Sequence, residues 1–264
     1  MIVPMDDFRP IQPLLARIRV VLISPTHPGN VGASARALQA MGFRELWLVD
    51  PEDPKIAQRA DAVALSSGAA QVLGDARVAS LDQALAPTTW SCALSARARE
   101  FEPPRLSLEQ ACEELLSHLG GDDAASAAFV FGQERSGLTN DQVLSCRRVC
   151  SLDVEAKFSS LNLSQAVQVV AYAMRRAARS QTASHAVANA GVGNNRETAR
   201  PASHEAVIGL HAHLVRVAIK VGYLDPAVPG RFDERLKRLL ARKELWEDEV
   251  QMLRGLCTEI ERRS

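Results

Sequence analysis

The sequence predicts an α/β fold: a parallel sheet with helices on both faces, followed by a small all-helical C-terminal extension. Short apolar runs alternate with helix-like stretches up to about residue 178. Each run is four to six residues long and is bounded by Pro, Gly, Asp or Ser, as strands buried on both faces are. Beyond residue 202 only helical periodicity remains.

The runs are Ile18–Ile23, Leu46–Val49, Thr89–Ala93, Ala127–Phe131 and Val149–Leu152. Helices are expected at about 30–41, 80–86, 107–118, 139–145 and 161–179. In the last, Val167, Val170, Ala171, Met174 and Ala178 share one face, while Arg175, Arg176 and Arg179 form a basic C-terminal end suited to the helix dipole. Gln181 to Ala202 is rich in Ala, Ser, Asn and Gly without apolar periodicity. The expected division is a first domain over 1–179, a flexible linker over 180–202 and a helical domain over 203–264. Within that domain, helices are expected over 204–221, 232–241 and 243–261, the last carrying an apolar stripe of Trp246, Val250, Leu253, Leu256 and Ile260. A unit of about 60 residues buries little surface alone, so it is expected to dock on the first domain or on another subunit.

The 264 residues carry 31 Lys+Arg against 31 Asp+Glu, with 47% hydrophobic and 23% charged residues. These values exclude globally disordered and fibrous classes. A net charge of zero means that a nucleic-acid partner must be met by a local patch rather than by a whole-molecule field. No apolar run is long enough to span a bilayer, and Met1–Pro10 lacks a basic segment followed by an apolar core, so a cytoplasmic protein is expected. The five cysteines include no Cys-x-x-Cys pair, and His211 and His213 face different sides of a helix; no disulfide framework and no metal site are expected.

Three segments at strand ends carry chemistry. Pro25-Thr-His-Pro-Gly-Asn-Val-Gly-Ala-Ser-Ala-Arg36 follows the first run at the carboxyl edge of the sheet, where open α/β folds bind ligands. Asn30 can cap a helix whose free N–H groups suit an anion, with Arg36 under two turns on, and His27 is a lesser candidate contact. Phe131-Gly-Gln-Glu-Arg-Ser-Gly137 follows the fourth run; Gly132 and Gly137 permit tight turns and close ligand approach, and Glu134 is a carboxylate at a strand end. Ser159-Ser-Leu-Asn-Leu-Ser164 opens the long helix, where such residues also serve as caps. In a parallel sheet the three loops would converge on one crevice. Neither a dinucleotide glycine fingerprint nor a Walker motif is present.

Asn30-x5-Arg36, Gly132-x-Glu134-x2-Gly137 and Ser160-Leu-Asn162-x-Ser164 resemble the three ordered motifs of the SpoU branch of the SPOUT RNA methyltransferases, over about residues 17–180. The helical extension, especially 231–240 and 249–256, looks like that of the TrmJ-type tRNA 2′-O-methyltransferases, which modify C or U at position 32 of the anticodon loop. The resemblance implies a sheet ending in a deep trefoil knot, against which general topology rules count, and S-adenosylmethionine as cofactor. It implies contacts to that cofactor from Leu94, Ser95, Ala96, Gly132, Leu152, Ser159, Ser160 and Leu161. It makes Arg36 the main catalytic residue, with Asn30, Glu134, Ser160 and Asn162 in support, in a homodimer that acts on tRNA without metal. Because a guanidinium keeps its proton, Arg36 is expected to position the 2′-oxygen or a phosphate, the proton leaving through Ser160 or water. Arg97 and Arg99 flank the cofactor loop as a basic pair that meets tRNA or solvent. Competing readings are a SpoU-type enzyme for ribosomal RNA or another tRNA position and a non-catalytic RNA-binding protein; a nicotinamide oxidoreductase ranks last.

Overall fold

Successive side chains of a strand point to opposite faces, so near-continuous apolar runs give the sheet two dry faces. The structure, a computed structural model, describes residues 11–155, 161–187, 200–227, 230–242 and 245–263. Strands β1 (Ile18–Ile23), β2 (Glu45–Val49), β3 (Arg77–Ala79), β4 (Trp90–Leu94), β5 (Arg105–Leu106), β6 (Ala127–Phe131) and β7 (Arg148–Cys150) form one sheet in the order β3-β2-β1-β6-β4-β7-β5. Every pairing is parallel. Ile18, Val20 and Leu22 of β1 join Phe129 and Phe131 of β6 in one core; Val21, Ile23, Ala128 and Val130 point into a second core on the opposite face.

Helices cover both faces: α1 (Gln12–Leu15), α2 (Pro28–Met41), α3 (Ala60–Leu65), α4 (Ala70–Gly74), α5 (Leu81–Leu85), α6 (Leu108–Gly121), α7 (Asn140–Leu144) and α8 (Leu163–Val187). Helices α2, α6 and α8 bury Leu38, Leu115, Val167 and Met174 in the first core, while α5 and α7 bury Leu85 and Val143 in the second. Gly32 lets α2 touch α3, since a Cβ there would stand 2.0 Å from the Ala62 carbonyl oxygen. All five cysteines are buried and free.

The five expected strands are present, and the structure adds β3 and β5 at the two sheet edges. They span three and two residues, too short to print an apolar run. Helix α2 begins at Pro28 rather than at Asn30, because proline suits the first helical position. Helix α8 runs to Val187, past residue 179 where the linker was expected to begin. Arg175, Arg176 and Arg179 therefore lie within the helix rather than at its end. Arg175 Nη1 instead donates to the Met41 carbonyl at 2.8 Å, placing its charge on the C-terminus of α2. The remaining linker residues, 188–199, lie outside the described part.

Three further helices, α9 (His204–Lys220), α10 (Phe232–Arg242) and α11 (Glu247–Arg263), close around a small core of Ala202, Leu210 and Val250. The stripe on α11 is narrower than expected: Val250 and Cys257 are buried, whereas Leu256 is 58% exposed. The unit docks on the first domain. His204 N donates to the Thr88 carbonyl at 2.8 Å, Glu205 N to that of Ala86 at 3.2 Å, and the Arg147 guanidinium to that of Ala202. His211 and His213 do face different sides, meeting Asp233 of α10 at 3.1 Å and Glu261 of α11 at 3.2 Å.

His204 sits at this junction with its Nε2 buried and unpartnered among the described residues. Burial, reinforced by the charge of Arg147 and opposed by Asp82, pushes its imidazole down to about 4. The unfolded chain takes up that proton near pH 6.5 and the folded chain only near pH 4, so stability present above pH 6.5 is lost as pH falls through this window. The loss approaches about 3 kcal/mol at its acid limit. Urea midpoints measured from pH 7 to 4.5 should fall more steeply for the native chain than for His204→Gln, and parallel slopes would exclude this histidine as the source.

Candidate functional site

The site begins where β1 and β6, adjacent and parallel, release their loops side by side. After β1 the chain turns sharply at Ser24, whose φ of 44° is rare for a residue with a side chain. This delivers Thr26 and His27 to the loop after β6, and Glu134 of that loop accepts from both. Its Oε2 takes the Thr26 N–H at 3.3 Å and the Thr26 hydroxyl at 3.2 Å; its Oε1 takes the His27 N–H at 3.4 Å and Asn30 Nδ2 at 3.0 Å. Asn30 Oδ1 in turn accepts from Asn162 Nδ2 at 2.9 Å, and Asn162 Oδ1 accepts from the Ser164 N–H at 2.9 Å and hydroxyl at 2.7 Å, capping α8. One continuous chain of hydrogen bonds thus joins all three motif segments.

Two expectations change here. Asn30 does not cap α2; it lies in the first turn after an N-cap at His27 that makes no side-chain cap bond. The anion at that helix start is the protein's own Glu134. Partial burial alone would raise the Glu134 pKa, but the donors Asn30, Thr26 and His27 outweigh it and hold the carboxyl below its ordinary value.

Beside this network lies a cavity of about 290 Å³, at the lower end of the roughly 300–1,000 Å³ usual for small-molecule sites. It opens at the carboxyl ends of β4, β6 and β7. Of the residues expected to hold a cofactor, Leu94, Ser95, Ala96, Gly132, Leu152 and Leu161 all line it, and so does Glu134. Ser159 and Ser160 lie outside the described residues. Gly132 is indispensable to the wall: a Cβ would stand 2.3 Å from the Gly137 carbonyl carbon and 2.5 Å from Leu138 N. Gly137, at φ 66°, closes the same loop through paired backbone bonds with Gln133.

Arg36 is exposed on α2 and forms no hydrogen bond or ion pair with any described residue. Arg97 and Arg135 line the cavity mouth, exposed and outside any salt bridge among the described residues. Arg99 differs from its sequence expectation. It is half-buried and spent on the protein itself, tying Ser95 Oγ at 2.8 Å, Asn140 Oδ1 at 3.0 Å and the Leu138 carbonyl at 2.6 Å. Arg105 adds a bond to the Ser95 carbonyl at 2.8 Å. The sequence reading missed Thr26, whose hydroxyl leaves no pattern, and Arg105, which opens the two-residue strand β5.

The chain is similar to proteins of one known family. Residues 17–172 match the SpoU rRNA Methylase family, and 205–264 match the tRNA methyltransferase TrmJ C-terminal domain. A tRNA (cytidine/uridine/adenosine-2′-O-)-methyltransferase TrmJ from Pseudomonas aeruginosa is 35% identical over 94% of this chain and 95% of its own. A tRNA (cytidine/uridine-2′-O-)-methyltransferase TrmJ from Klebsiella pneumoniae is 35% identical over 95% and 99%. The crystal structure of TrmJ from Z. mobilis superposes with a TM-score of 0.77 at 30% identity, over 92% of this chain and 98% of that one.

The Glu134 network yields a specific expectation. Glu134→Gln keeps the shape but turns an amide toward existing donors, which should cost about 1–2 kcal/mol in urea denaturation at pH 7. Because the carboxylate's contribution exists above its ordinary pKa and is lost as pH falls through its lowered folded value, the gap between native and variant should close on acidification. A gap that stays constant to pH 3 would sink this account.

Proposed function

The chain belongs to the SpoU methylase family and ends in a TrmJ-type C-terminal domain, and from this premise we propose that it transfers a methyl group from S-adenosylmethionine to a ribose 2′-hydroxyl of tRNA, at C or U in position 32 of the anticodon loop. The observation that carries the reading is the convergence of three separated motif segments on one hydrogen-bonded network beside one cavity. The bare backbone at Gly132, the apolar walls of Leu94, Leu152 and Leu161 and the small polar Ser95 suit a nucleoside with an amino-acid arm.

When bound, S-adenosylmethionine supplies a methyl group already activated on a positively charged sulfur. What remains for the protein is to orient the reactants, exclude water and accept a proton. The wall residues 94–96, 132, 152 and 161 hold the donor in our reading, with Ser159 and Ser160 added by the family resemblance alone. Glu134, Asn30 and Asn162 fix the loops around it, since each is spent on internal bonds. Arg36 positions the 2′-oxygen or its neighbouring phosphate, because a guanidinium does not give up its proton in a protein and so makes a poor base. The hydroxyl proton leaves through Ser160 acting as a relay, or through water, and is released to solvent.

The proposal includes a homodimer, a cytoplasmic site of action and the family's trefoil knot. An exposed Arg36 with no bond to the Glu134 network supports a reaction site shared between two copies. The position of β7, last of the strands in the chain yet seated between β4 and β5, supports a chain that re-enters a sheet already laid down. No described helix is long and apolar enough to cross a membrane.

Methyl incorporation into total tRNA and ribosomal RNA, followed by nucleoside mapping that includes adenosine, tests the assignment; label confined to ribosomal RNA would reject the tRNA reading. Arg36→Lys should keep partial activity and Arg36→Ala almost none, with affinity for S-adenosylhomocysteine unchanged in both. Neutralising Arg97 or Arg135 should weaken tRNA binding and lower the slope of log affinity against log salt by about one for each phosphate no longer paired with a cation.

A further inference from the structure

Ser95, Ala96, Arg97 and Arg99 line the cavity from a segment, 95–101, that has no regular secondary structure between β4 and β5, so side chains hold it in place. Two of the struts, Arg99 and Arg105, belong to the first domain. A third comes from the helical unit. Arg231, at the start of α10, donates through Nη1 to Glu100 Oε1 at 2.8 Å and through Nη2 to Glu100 Oε2 at 2.9 Å. Its guanidinium also lies over the Phe101 ring, 4.1 Å from the centroid, with Arg238 at 5.5 Å from the same ring.

An exposed ion pair contributes little by itself. This one is bidentate and stacked, a geometry that a planar guanidinium satisfies and an ammonium does not. Ser95, Arg97 and Arg99 are already tied by Arg99, Glu102 and Arg105, whereas the Glu100 carboxylate has no hydrogen-bond partner but Arg231 among the described residues. Glu100 and Phe101 are four and five positions beyond Ala96, and Arg99 between them bridges Ser95 on one wall to the Leu138 carbonyl on the other. Displacing Glu100 and Phe101 therefore moves the anchor of Arg99, and with it the spacing of the two walls. A second small cavity, of about 220 Å³, lies directly under the clamp and shares Arg97 and Arg99 with the larger one, leaving room for that movement.

We propose that Arg231 is a positioning residue for the cofactor cavity: by gripping Glu100 and Phe101, just beyond the wall residues Ser95, Ala96, Arg97 and Arg99, it holds that wall in the arrangement that accepts the methyl donor, coupling donor affinity to docking of the C-terminal helices. The inference rests on the reading of the larger cavity as the cofactor site. It concerns a residue of the helical unit that touches neither donor nor RNA in this role.

Calorimetric titration of the full chain with S-adenosylhomocysteine tests it. Arg231→Ala should raise the dissociation constant by about five- to tenfold, and Arg231→Lys should fall between, keeping charge but losing fork and stack. The exchanged pair Arg231→Glu with Glu100→Arg restores the ion pair but not the stack on Phe101, and should recover affinity at least to the level of Arg231→Lys. In turnover, Arg231→Ala should raise KM for the methyl donor and leave kcat at saturation near native. Ala96→Trp, an exposed position on the cavity wall, is the control for the underlying reading and should abolish binding. Retained binding in Ala96→Trp overturns the cavity assignment and the clamp with it. Abolished binding there, with native affinity in Arg231→Ala, overturns the clamp alone, as does a loss in Arg231→Ala that the exchanged pair fails to bring back to the level of Arg231→Lys.

Discussion

Glu134 accepts hydrogen bonds from two backbone N–H groups, a hydroxyl and an amide, all contributed by residues more than a hundred positions earlier in the chain. A carboxylate placed at the start of α2 satisfies donors that a helix leaves free and meets the positive end of its dipole. The loop after β1 is thereby fixed against the loop after β6, and Asn30, held by Glu134 on one side, has a defined oxygen to offer Asn162 on the other. Remove this carboxylate and three chain segments lose their common reference, although every strand beneath them stays paired.

The sheet was legible because strands buried on both faces print themselves as apolar runs, and β1, β2, β4, β6 and β7 all do so. The edge strands β3 and β5 were not, since a two- or three-residue strand with one exposed flank has too few side chains to make a pattern. The extent of α8 was hidden for a different reason. Ala, Ser and Gln after residue 179 read as linker composition, yet they also continue a helix that packing has already nucleated. In the site, the cavity lining followed from strand ends and from family motifs. Hydrogen-bond direction did not: nothing in the sequence distinguishes an Asn30 that caps its own helix from one that bridges two loops. Arg99 and Arg231 were opaque for the same reason, since a surface arginine and a strut are spelled alike.

The two units of the chain differ in how they are stabilised. The first has extended cores on both sides of its sheet, whereas the second closes on little more than Ala202, Leu210 and Val250. The polar seam at His204, Glu205 and Arg147 therefore carries weight that a larger apolar core would otherwise bear.

The strand order also sets a schedule. β1 sits at the centre beside β6, so Ile18 finds its partner Ala127 only after roughly a hundred further residues have left the ribosome. Until then β1 can pair only with β2, its other flank an open, apolar edge. The nascent chain must hold that edge while the three intervening strands β3, β4 and β5 are synthesised, an interval in which an exposed apolar edge invites mispairing.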